Sequence, residues 1–123
     1  MDFYLTINGK KYPARHTLRT SFLAAERRGS LTEMLRGGSK DQAAFLSDMA
    51  WLAAEQLRSA ARHKAELEGT EVEETLTAEQ IMDLVDYADL VALQGEMLAA
   101  ISKDEPTVKA EASGKNAEAT SGE

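Results

Sequence analysis

Asp83, Asp86 and Asp89 recur every three residues and come nearest, in this sequence, to a constellation with a chemistry. On one continuous helix that spacing gathers three carboxylates, and magnesium takes oxygen ligands of this kind when substrate phosphates complete its shell. The plainer reading is a solvated acidic face opposite an apolar stripe. His63 and Glu66 share one helical face but fall short of the three or four ligands a metal site requires. His16 has no ligating companion in sequence. Gly37-Gly38-Ser39 before a helix has the small residues of an anion cradle, yet no Lys-Ser/Thr follows and no strand precedes it, so a helix-to-helix hinge is expected. The absence of Cys excludes disulfides, thiolate metal sites and a cysteine nucleophile, and no spacing sets a base against a hydroxyl. The expectation is a non-enzymatic protein with no cofactor and no metal.

The elements that carry these residues are legible from caps and periodicity. Phe3 to Ile7 alternates, Asn8-Gly9 suits a two-residue type I′ turn, and Lys10 to Arg15 returns, which predicts a β-hairpin over residues 3–15. That turn sets Leu5 opposite Tyr12 and Phe3 opposite Ala14, with Ile7 on the same face. Pro13 marks an edge strand. Thr17 or Thr20 caps a helix over about 18–28, with Leu18, Phe22 and Ala25 at apolar spacing and Gly29 as its stop. Ser30-x-x-Glu33 opens a short helix over 31–36. Ser39-x-x-Gln42 opens the longest pattern, 40–67, whose stripe runs through Phe45, Met49, Leu52 or Ala53, Leu57 and Ala60. Thr77-x-x-Gln80 starts a helix expected to run unbroken over 78–102, with Ile81, Leu84, Val85, Ala88, Val91 and Leu98 inward.

That last helix has more apolar residues than one stripe holds. Met82, Leu90, Leu93 and Met97 form a flank beside it, and a helix apolar over much of its girth is either central to its bundle or covered by a partner. With Trp51, at the edge of the long stripe and open to reading as core or as a partner anchor, this flank is the candidate partner-binding surface. The competing reading is that the same residues fill the core or a self-association interface.

The 123 residues carry a net charge of −7 and fit one domain, residues 1–102, followed by a tail over 103–123 whose composition predicts disorder. The fold class expected is α+β, mainly α, with the hairpin packed on three to four helices. Charge is polarised: eleven basic against eight acidic residues through Glu68, then three against thirteen. Scattered arginines make no concentrated footprint for phosphates, and a helix closed by two glycines is too short for a recognition helix, so no nucleic acid is expected. No apolar run is long enough to span a bilayer, and MDFYLTINGK lacks the regions of a signal peptide. A cytoplasmic protein with no membrane contact is expected.

The order of parts resembles the tail assembly chaperones of long-tailed bacteriophages and prophages. The resemblance rests on the hairpin Leu5-Thr6-Ile7-Asn8-Gly9-Lys10-Lys11-Tyr12-Pro13, a helix opened by Thr17-Leu18-Arg19 and ending Glu26-Arg27-Arg28-Gly29, then Ser30-Leu31-Thr32-Glu33-Met34-Leu35, two longer helices and a loose acidic tail. It implies a protein that coats the long helical tape measure protein during tail assembly, keeps it soluble and helps recruit tail tube subunits. A helical client of that kind calls for exposed apolar side chains able to repack. The alternative is a small acidic adaptor or regulator that binds one folded protein.

Overall fold

The computed structural model describes residues 2–36 and 41–104. Two strands, β1 (Asp2–Ile7) and β2 (Lys10–Arg15), are followed by α1 (Leu18–Arg28), α2 (Leu31–Leu35), α3 (Gln42–Glu68), α4 (Ala78–Leu84) and α5 (Tyr87–Asp104). This is the α+β architecture that the sequence predicts, with a hairpin on a set of helices. The predicted cradle at Gly37-Gly38-Ser39, the Ser39 cap and the tail beyond residue 104 lie outside the described residues.

Asn8 and Gly9 both take positive φ, 55° and 79°, as a type I′ turn demands. The register is the expected one, Leu5 opposite Tyr12 and Phe3 opposite Ala14. Leu5, Ile7 and Ala14 are buried together. A two-residue turn makes Ile7–Lys10 and Leu5–Tyr12 the hydrogen-bonded pairs, so Pro13 falls where a missing N–H breaks no ladder bond. The same alternation turns the Thr6 N–H outward, away from β2. There Glu96 of α5 accepts it at 2.9 Å and accepts the Thr6 hydroxyl at 2.8 Å, covering part of the open edge of β1.

The helices start where their caps direct. Thr17, Ser30 and Thr77 each accept a backbone N–H three residues on, and Gln80 completes the box by accepting from Thr77 N. The start of α3 departs from the expected Ser39 cap: Asp41 caps it through Ala43 N at 3.0 Å, and the helix begins at Gln42. Gly69, at φ 68°, closes α3 in the left-handed conformation that glycine adopts without strain. The α3 stripe is core as predicted: Met49, Leu52, Ala53 and Leu57 are buried, flanked by half-buried Phe45 and Ala60.

Two further expectations fail. The helix over 78–102 is not continuous: Val85 is extended (φ −117°, ψ 148°) and α5 begins afresh at Tyr87. Asp86 caps the new helix, its carboxylate accepting from Asp89 N at 2.8 Å. The interruption resets the helical phase. In α5, Leu90, Leu93, Met97 and Ile101 therefore face the core, while Val91 is exposed.

The second failure is α1, whose predicted inward residues Leu18, Phe22 and Ala25 are all exposed. It packs on α3 instead through Thr20, Ala24, Arg27 and Arg28. Asp48, 2% exposed, receives Arg27 Nε at 2.7 Å and Arg28 Nε at 2.5 Å. The Arg27 guanidinium also lies 5.1 Å over the Trp51 ring. Farther along this polar seam, Thr20 and Ser59 hydroxyls meet at 3.4 Å. Gln56 Nε2 donates to His16 Nδ1 at 3.2 Å, which leaves the other ring nitrogen to donate to Ser21 Oγ at 2.7 Å. His16, without a companion in sequence, is thus a buried seam residue.

Replacing both Arg27 and Arg28 by Ala strands a buried carboxylate and is expected to lower unfolding free energy by about 3 kcal/mol. Asp48→Ala leaves two half-exposed cations that water can solvate, so it loses less; urea denaturation of the three proteins tests the order. Gly95 sits inside α5 with open space where a Cβ would project. Gly95→Ala is expected to gain about 0.5–1 kcal/mol in the same assay.

Candidate interaction surface

The C-terminal half of α3 presents its side chains to the hairpin on one flank and to residues 70–77 on the other. Leu57 belongs to the core, and the next turns carry Ala60, Ala61 and Lys64. Two alanines in succession leave room that a larger residue would fill. A groove of about 420 Å³ results, floored by Leu57, Ala60 and Ala61 and walled by Tyr12 and Pro13 of β2 and by Leu76. Lys10 lies 5.7 Å over the Tyr12 ring, holding that wall. Lys64 pairs with Glu73 at 3.5 Å across the far rim, an exposed contact that marks the rim more than it stabilises it.

A second groove of about 240 Å³ adjoins the first and shares Pro13, Ala60 and Lys64 with it. Its walls include Tyr4 and Leu67, 62% and 73% exposed. Alternation along β1 explains Tyr4: with Leu5 in the core, its neighbour must face out. Leu67 stands on the last turn of α3, two residues before Gly69. Large apolar side chains beside an apolar groove, with charged groups at its rim, are what a protein-binding surface needs.

The residues predicted for partner binding are not gathered here. Leu90, Leu93 and Met97 are core residues, 5% exposed or less; the reading of the flank as core filling is the correct one for these three, because α5 starts in a new phase at Tyr87. Trp51 is half-buried against Arg27. Met82 alone of the five stands exposed among the large hydrophobics, on α4. Asp83, Asp86 and Asp89 do not share one helix, since Asp83 belongs to α4, Asp86 caps α5 and Asp89 lies in its first turn. Among the described residues no group of three or more His, Cys, Asp or Glu side chains is placed to hold a metal ion, and none of the helices is long and apolar enough to cross a membrane.

No family model, curated protein or solved structure matches the chain.

The assignment of core and surface is directly measurable. Met97→Ala is expected to lose about 3 kcal/mol of stability by leaving a cavity, whereas Met82→Ala is expected to change it by less than about 0.5 kcal/mol. Thermal unfolding of the two variants beside the parent protein distinguishes them.

Proposed function

We propose that this chain is a non-enzymatic tail assembly chaperone that holds an apolar helical segment of a tape measure protein, keeping it soluble and helping to recruit tail tube subunits. The observation that carries the reading is the pair of adjoining grooves on α3, floored by Ala60 and Ala61 and flanked by exposed Tyr4 and Leu67. Small floor residues let a helix approach closely, and the aromatic and leucine side chains at the rim supply the anchors. The order of parts on which the resemblance rests, a hairpin followed by α1, the short α2 and the much longer α3, supports it as well.

A long helical client exposes apolar seams until its own assembly partners arrive, and such seams aggregate. A groove of this shape removes one seam from water without enclosing the client, so many copies can line one extended chain. Charged groups at the rims, Lys64, Glu73 and Glu74 on the first groove and Asp2 and Glu68 on the second, discourage closure of one groove on another copy's groove. The binding is expected to be driven by apolar burial and to weaken little with salt.

Ala60→Trp fills the floor, and Tyr4→Asp with Leu67→Asp charges the rim. Co-expression of each variant with an apolar helical segment of a tape measure protein is expected to shift that client from the soluble to the insoluble fraction. The corresponding loss of affinity is about thirtyfold for a hot-spot change of about 2 kcal/mol. Unchanged client solubility with both folded variants would rule the groove out as the client site.

A further inference from the structure

Two patches of opposite charge, each mixed with exposed apolar side chains, stand on the described surface. One lies where the start of α1 meets the last turns of α3. A pocket of about 210 Å³ there is lined by Arg15, Arg19, Arg62 and His63, with Glu66 the one acidic residue among its walls. Arg15 is held by Asp2 at 2.7 Å. Arg19 and Arg62 pair with no described residue. Beside them α1 exposes Leu18 and Phe22, 86% and 60% open to solvent, because the polar seam turns the other side of that helix inward.

The other patch is the junction of α4 and α5. From Gly69 to Ser102 the sequence has eight acidic residues and no Lys or Arg. Asp83, Asp86 and Asp89 are exposed there, interleaved with exposed Met82, Tyr87 and Val91. Within one copy Arg19 and Arg62 form no ion pair with those carboxylates. Each has what the other lacks: guanidinium donors against carboxylate acceptors, with large apolar groups on both sides to exclude water between them.

We infer that a second copy of this chain docks its acidic α4–α5 junction into the basic pocket formed by α1 and α3. Arg19 and Arg62 receive the carboxylates of Asp83 and Asp89. Leu18 and Phe22 pack against Met82 and Tyr87. Asp86 keeps its capping role and so takes less part. The contact joins unlike surfaces, so each copy in a pair retains one unused patch and association continues beyond the dimer. This inference stands on charge and exposure alone and does not depend on the identity of a client.

Sedimentation velocity of the full chain over a range of concentrations tests it. The expected result is a concentration-dependent series of species that dissociates about tenfold more readily when salt rises from about 0.1 M to about 1 M, as the screening length falls from about 10 Å to about 3 Å. Arg19→Glu with Arg62→Glu is expected to be monomeric, and so is Asp83→Arg with Asp89→Arg. Mixing the two variants juxtaposes opposite charges at both contacts and is expected to restore association, which a merely destabilised protein would not do. Asp83→Arg alone, in the last turn of α4 where a cation suits the helix dipole, serves if the double variant fails to fold. A parent chain that stays monomeric up to about 1 mM, or a dimer that survives in both reversed variants, overturns the inference.

Discussion

A single 27-residue helix, α3, is the element against which the rest of the molecule is held. β2, α1, α2, α4 and α5 all pack on it, and β1 joins through β2 and α5. An isolated hairpin is marginal in water and a five-residue helix more so. Each gains its place only because Met49, Leu52, Ala53 and Leu57 offer a continuous apolar surface along α3. Where that surface changes character along the helix, the function of the flank changes with it. The apolar sector makes the core, the polar sector from Asp48 to Ser59 receives α1, and the alanine-rich sector beyond Leu57 is left as a groove.

The polar sector accounts for the least expected feature of the molecule. Asp48 is almost wholly buried, and a carboxylate there requires compensating charge. Arg27 and Arg28, on the last turn of α1, supply it from positions where cations also complement the helix dipole. Pairing Arg27 and Arg28 with Asp48 and Thr20 with Ser59 fixes the rotation of α1, and that rotation places Leu18 and Phe22 outside. The exposed apolar face is therefore a consequence of electrostatics in the seam. It also brings Arg19 close to Arg62 and His63, concentrating positive charge in a chain that is acidic overall.

Local signals in the sequence located most elements. Asn8-Gly9 set the hairpin register, Thr17, Ser30 and Thr77 marked helix starts, and the α3 stripe identified its own buried side, because each is decided within a few residues of chain. The α4–α5 break was hidden because helical apolar spacing continues through Val85 and Asp86, and an aspartate in a row of aspartates reads as a charge before it reads as a cap. Leu90, Leu93 and Met97 were consequently assigned to an outer flank. For α1, spacing showed an amphipathic helix but could not show that its polar side had the stronger claim on α3. The groove was the hardest to see, since Pro13, Ala60 and Leu67 become neighbours only after the hairpin folds onto α3. Its one early sign was Tyr4, an aromatic residue on the hairpin face opposite Leu5.

The seam between α1 and α3 closes with guanidinium groups, hydroxyls and an imidazole where most helix pairs close with methyl groups. Water can replace many of those partners when the two helices separate, so detaching α1 uncovers little apolar area and forfeits little of the hydrophobic driving force. Partial opening at this helix is thus cheaper than disruption of α3 or α5, whose buried faces are aliphatic. An opening of this kind would expose the amides of α1 at a free-energy cost below that of unfolding the core. The molecule combines a central helix held by aliphatic packing with a neighbour held to it mainly by polar contacts.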